Sequence, residues 1–291
     1  MQRNFFGFWI ILMLAFAHPL FAGWVVVEES TDNFGNRSFQ TTFIHQNLVR
    51  IDGNTSVNIM DLKKKQLCLI FPQHRSYWKG TAEELNRQTN DLIKQQFQSL
   101  LARAPQAQKD TLKKLIRALD YSANQDSANI RLPAIEIINT GKKSIINGFH
   151  TREYEVRIDS ILKERLWVTT DKTPYQELNV DDMLAFSRLI NPQSLVSILS
   201  HSPVYVALLK NGMVVKSIDY HANGIRQTSQ VKQVKQMDMD LTLFQPPAGY
   251  RHAEISEIMT MDINTPLPGL KSGQDDQNGD VGLPQLPDIK K

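Results

Sequence analysis

Between Ala134 and Asp171 apolar and polar residues alternate in a way that only paired strands can use. Tyr154, Val156 and Ile158 interleave with Glu153, Glu155 and Arg157, the period of a strand with one dry face. Gly141 and Gly148 stand where such a run must turn or bulge. Short strands are not stable alone, so these must pair with strand-like runs before and after them.

Those partners are present on both sides. Trp24 to Glu29 reads as a first strand, and Asp32 to Asn36 carries turn chemistry. Phe39, Thr41 and Phe43 alternate with polar neighbours, and Leu48 to Asp52 ends at an Asp52-Gly53 turn. Val57 to Ile59 alternates again; Gln66 to Trp78 is a long apolar run with Pro72 as a bend or edge position. In the last third, Val204 to Leu209, Met213 to Tyr220 and Ile225 to Val234 read as strands. Asn211-Gly212 and Asn223-Gly224 form the turns between them, and Leu241 to Tyr250 is a closing segment.

The period changes at Thr81. Thr81-Ala82-Glu83-Glu84 is a capping box. Leu85, Leu92, Ile93, Phe97, Leu100 and Leu101 follow at helical spacing up to Pro105. A second helix is expected over Gln106 to Leu119, then a polar loop from Tyr121 to Asn129. Asp181-Asp182 opens a helix continuing from Met183 to Ser200, kinked at Asn191-Pro192. The first strands lack companions and the last lack helices, so one sheet with the helices on one face serves both. The organisation is α+β, with an antiparallel sheet.

The N-terminus supplies an address. Arg3 precedes an apolar run from Phe5 to Ala17, then His18-Pro19 and Leu20-Phe21-Ala22. That is the layout of a secretory leader cleaved near Ala22, and the run falls short of a membrane span. Domains are therefore expected at 1–22 (signal peptide), 23–263 (one domain with a helical insertion over 81–119) and 264–291 (a Pro-, Gly- and Asp-rich disordered tail). The expected location is the periplasm, with no transmembrane segment once the leader is removed. The chain has 33 Lys and Arg against 30 Asp and Glu; loss of Arg3 would leave 32 against 30. That balance excludes a nucleic-acid partner, and the Lys63-Lys64-Lys65 triplet reads as a solvated turn. The one cysteine, Cys68, lies in an apolar run away from the leader junction. It reads as a small buried hydrophobe, with neither a disulfide nor a lipid anchor.

Catalytic signatures are missing. No Gly-x-Ser-x-Gly elbow, His-Glu-x-x-His or phosphate-cradling loop occurs. The histidines at 45, 74, 150, 201, 221 and 252 lack ligand spacing and read as surface or strand-end residues. Asp238 and Asp240 read as a loop rather than a cation site. No catalytic residue, metal or cofactor is expected. What remains is apolar: Phe39, Phe43, Leu69, Phe71, Trp78, Tyr154, Trp167 and Phe186, with Tyr77 and Tyr205. Such side chains build a core, or line a cavity beneath a helical lid.

Gly148 to Val156 (Gly-Phe-His-Thr-Arg-Glu-Tyr-Glu-Val) leads to Leu166 to Thr169. Pro203-Val204-Tyr205 leads to Ser217-Ile218-Asp219, and Phe244 to Tyr250 closes the chain. In these motifs and in the order of its elements, over about Trp24 to Tyr250, the chain resembles an uncharacterised exported bacterial family similar to the periplasmic lipoprotein-carrier half-barrel superfamily. The resemblance implies a curved antiparallel sheet, or half-barrel, with helices packed on the concave face. It implies a non-enzymatic binding or carrier protein whose apolar cavity, with Phe39, Phe43, Leu69, Phe71, Trp78, Tyr154, Trp167 and Phe186 as its candidates, takes a lipid or a lipoprotein acyl chain. The longer insertion from Thr81 to Leu119 and the polar tail depart from that pattern. The alternative expectation is an envelope interaction or assembly factor binding a protein partner, and a third is a hydrolase with a dispersed site.

Overall fold

The computed structural model describes residues 22–124, 133–191, 194–221 and 224–258. The expected leader up to residue 21 and the expected tail lie outside them. In chain order the elements are β1 (Ala22–Asp32), β2 (Arg37–His45), β3 (Leu48–Asp52), β4 (Val57–Asp61), β5 (Gln66–Phe71) and β6 (Ser76–Thr81). Helices α1 (Ala82–Arg103) and α2 (Gln106–Asn124) follow, then β7 (Ile135–Ile146), β8 (Phe149–Ile158) and β9 (Ile161–Thr169). Next come α3 (Val180–Ile190), α4 (Leu195–Leu199), α5 (Pro203–Asn211), β10 (Met213–Tyr220), β11 (Arg226–Asp238), β12 (Arg251–His252) and α6 (Ile255–Ile258).

All twelve strands join one sheet in the order β12-β6-β5-β4-β3-β2-β1-β11-β10-β9-β8-β7. Every pairing is antiparallel except that of β12 with β6. The sheet is curved and does not close, so the fold is α+β with the layout of a half-barrel. Two meanders, β1 to β6 and β7 to β11, are sewn together where β11 returns to pair with β1 from Ala22↔Asp238 to Asp32↔Gln227. Two-residue turns set the hairpin registers: Gln46-Asn47, Asn147-Gly148 and Asp159-Ser160 all have positive φ, which matches the strand twist.

Alternation along the strands divides the sheet into two faces. On the inner face Ile44, Val49, Leu67, Phe71 and Trp78 pack with Leu178 and with Phe186 of α3. Further along that face Val156, Leu166 and Val168 pack under Val180 and Leu184 of α3, Leu199 of α4, and Tyr205 and Leu209 of α5. On the opposite face Val25, Phe43, Val57, Ile59, Cys68 and Ile70 are covered by Met239 and by Phe244 of the closing segment. Cys68 is buried and its thiol is pushed up to about 11, chiefly by loss of solvent. His45 closes β2, one of the strand-end positions expected for the histidines, and there it is buried and stacks on Phe244 at 6.4 Å.

The capping box forms as read: Thr81 Oγ1 accepts from the Glu84 N–H at 3.1 Å, and Glu84 Oε2 accepts from the Thr81 N–H at 2.8 Å. Other elements differ from expectation. The helix after Pro105 continues to Asn124, so its last turn takes in the start of the expected loop. The helix expected from Met183 to Ser200 is two, α3 and α4, and Asn191 closes the first by donating its N–H to the Ser187 carbonyl at 2.9 Å. The Gln66 to Trp78 run does bend at Pro72 as expected, through a 3₁₀ turn at Pro72–His74 between β5 and β6. The segment Val204 to Leu209, expected as a strand, is helix α5. Ser202 caps it, and Pro203 fills the first turn with φ already set. β10 takes the place beside β9 that this segment would have needed.

Candidate functional site

A wide opening lies between α5 and the hairpin β7–β8, and each wall has a local cause. Helix α5 starts where Ser202 Oγ accepts from the Tyr205 N–H at 3.4 Å. It ends at Gly212, where an added Cβ would lie 2.7 Å from Val168 Cγ1 and 2.8 Å from the Thr169 carbonyl oxygen. The helix exit is thus seated directly on β9. The facing hairpin is bent: its register shifts between Asn139 and Lys143, and Gly141 there has φ +76°. Such a bulge turns a strand out of its ladder. Beyond it, Thr151 Oγ1 donates to the Ser144 carbonyl at 2.9 Å, and Asn147 Nδ2 donates to the Val231 carbonyl at 2.6 Å. The second contact ties the hairpin tip to β11.

These walls enclose a cleft of about 820 Å³, within the range of small-molecule sites. Its apolar lining comes from Ile145, Tyr154, Val168, Val204, Ala207 and Leu208. Ile145 is 68% exposed and Val204 55% exposed, so this part of the inner face is uncovered among the described residues. Lys143, His150, Arg152 and Asp171 also line it. Asp171 accepts from the His150 backbone N–H at 2.8 Å and lies 3.1 Å from the His150 ring Nδ1. Those contacts, the backbone hydrogen bond foremost, hold its carboxyl below the usual range.

A second cavity, of about 250 Å³, lies under α4 and α5 further along the sheet. Glu28 and Glu164 line it and Asp219 pairs with Glu164 beside it, a set of acids that no sequence spacing indicated. Glu164 of β9 and Asp219 of β10 are directly opposed in register. Both carboxyls are pushed up, first by burial, and Glu164 further by the charge and hydrogen bond of Asp219. Glu28 of β1 is also raised by burial, and by Asp219, against a lowering hydrogen bond from Ser229. Tyr175, beside them, is pushed up to about 12 by burial and by Glu28. Ser30 and Ser229 meet at 2.7 Å between their hydroxyls. Among the described residues, no group of three His, Cys, Asp or Glu is placed to hold a metal ion. No described helix is long and apolar enough to cross a membrane.

Of the eight aromatic and aliphatic residues singled out from the sequence, Tyr154 alone borders the large cleft. Leu69, Phe71, Trp78 and Phe186 come together, but in the solid packing between β2–β6 and α3. Phe43 lies on the other face under the closing segment, and Phe39 shares its side, directly opposite Glu29. Trp167 also points away from Leu166 and Val168, with the Lys216 ammonium 4.9 Å from its ring centre. Sequence reasoning missed Ile145, Val204 and Leu208. Gly141, read from the sequence as a turn or bulge, does bulge, and the unused signal was the Ser202-Pro203 helix start.

No family model and no curated protein sequence matches the chain. Solved structures that resemble it include PNGF-II (10% identity, TM-score 0.36, covering 81% of this chain and 32% of that one). The Pseudomonas aeruginosa MucA/MucB complex is another (10%, TM-score 0.32, 79% and 57%). The chain thus spans about a third of the first and just over half of the second. A LolA superfamily protein from Nitrosomonas europaea (5%, TM-score 0.26, 78% and 91%) and a DUF1329 family protein from Desulfovibrio piger (6%, TM-score 0.28, 82% and 95%) are similar over most of their own lengths. At such scores none of the likenesses carries a functional argument.

Proposed function

We propose that the chain is an exported, non-enzymatic binding or carrier protein that holds a lipid, acyl chain or similar apolar group in the cleft between α5 and β7–β8. The observation behind this reading is the apolar lining at Ile145, Val204 and Leu208, uncovered among the described residues, on a sheet whose inner face over β2 to β6 is packed solid. Burial contributes about 0.8 kcal/mol per methylene, so a chain of several carbons is held without catalytic machinery. The leader-like N-terminus supports a periplasmic location.

The test is binding of a fluorescent fatty acid by the purified chain, with mass spectrometry of lipids that copurify. Leu208→Asp, which places a charge in the lining, should weaken binding about tenfold or more. No copurifying lipid together with no probe binding would sink the proposal. A second reading, partner binding by strand addition, is favoured by one feature. Strand β7 is a sheet edge with Ile138 exposed, and such edges accept a further strand. Ile138→Pro should abolish capture of a partner by that route and leave fatty-acid binding intact.

A further inference from the structure

We infer that the ligand of the cleft is an amphiphile with an anionic head, seated with its head on Lys143 and Arg152 and its chain against Val204 and Leu208. This rests on the reading of the cleft as an apolar-group site and adds the head chemistry.

Lys143 and Arg152 are directly opposed across the β7–β8 pair, so their side chains leave the same face of the hairpin. Tyr154 stands two residues further along β8, and all three line the cleft. Both cations are exposed. The neighbouring charges are already engaged elsewhere. Lys142 points to Glu153 at 3.5 Å on the other face of the hairpin. His150 holds Asp171 through its backbone and its ring. The rim also carries the carbonyl end of α5 at Asn211 and Gly212. A helix terminus amounts to about half a charge and fades within a turn. Two full positive charges therefore face one engaged carboxylate and a partial negative pole.

An uncharged lipid would leave these cations without a partner at the mouth of an apolar trough. A positively charged head would be repelled. A carboxylate or phosphate gains charge-assisted hydrogen bonds, and the Arg152 fork suits either group. The bulge at Gly141 makes the arrangement: the turned-out end of β7 sets Lys143 and Ile145 over the trough rather than along the sheet edge.

The test uses the full chain and three probes of equal tail length: dodecanoate, dodecyl phosphate and dodecanol. Calorimetry should show one or both anions binding about tenfold more tightly than the alcohol, with the preference shrinking as salt is raised. The better of the two anions identifies the head as carboxylate or phosphate. In the double variant Lys143→Gln, Arg152→Gln the preference should vanish while dodecanol binds as before. Both residues are exposed, so folding is retained; circular dichroism checks this. Equal binding of all three probes, or a preference that survives in the double variant, would overturn the anionic head and leave the apolar cleft standing. Binding of none would overturn the cleft reading as well.

Discussion

The two ends of the inner face have the same strand chemistry and opposite outcomes. Over β2 to β6, Trp78, Phe71 and Leu67 meet Phe186 and Leu178, with Ala253, Ile255 and Ile258 of the last described turn filling in behind. Over β8 and β9, helix α5 covers Val156 and Leu166, but beyond Val168 the trough runs out from beneath it. Apolar strand faces alone therefore do not make a site. What differs is the roof: over the first end Phe186 of α3 and Ala82 of α1 close on the strands, whereas α5, seated on β9 at Gly212, faces a bent hairpin that leaves the trough open.

The largest contrast comes from truncating one aromatic at each end. Trp78→Ala should cost about 3–5 kcal/mol, since a fully buried ring leaves a cavity its neighbours cannot fill. Tyr154→Ala should cost about 1 kcal/mol or less, because the half-buried ring faces open space. Probe binding should weaken in the second and not the first. Urea denaturation measures both costs; equal losses would mean that the open end is as tightly packed as the filled one. Next is the anchor of α5. Gly212→Ala forces a methyl onto Val168 and the Thr169 carbonyl, which should cost about 1–3 kcal/mol. Because the displaced element is the cleft wall, probe affinity should change too. A variant of unchanged stability would show that α5 is free to move.

The same contrast explains what was legible in the sequence. Alternation at Tyr154–Ile158, the capping box at Thr81 and the apolar run around Cys68 depend on local periods, and each has its structural counterpart. Val204 to Leu209 looked like a strand because Val204 and Val206 are β-branched and alternate with Tyr205 and Ala207. The Ser202-Pro203 cap and the pairing of β10 with β9 outweighed that preference. Size alone marks the set from Phe39 to Phe186, and size does not say which face a residue takes or whether a helix covers it. Phe43 and Trp78 share chemistry but lie on opposite faces. Glu28, Glu164 and Asp219 meet only through the register of β1, β11, β10 and β9, so no spacing within one segment could announce them.

Those acids offer the finest distinction, since they lie between the filled end and the open one. With the carboxyls of Glu164 and Asp219 raised above their ordinary values, the folded chain retains protons that the unfolded chain releases. Their contribution to stability is therefore complete below the ordinary carboxylate range and is lost as pH rises from that range toward the raised values. Each retained proton limits the slope to about 1.4 kcal/mol per pH unit. Glu164→Gln removes one titrating group and keeps the shape, so the variant should be close to wild type near pH 4. It should gain on wild type by about 1 kcal/mol or more by pH 8, as read from chemical denaturation across that interval. Parallel stability curves for the two proteins would mean that Glu164 is ionised in the fold and solvated through its cavity, in which case this stretch of the sheet belongs with the open end.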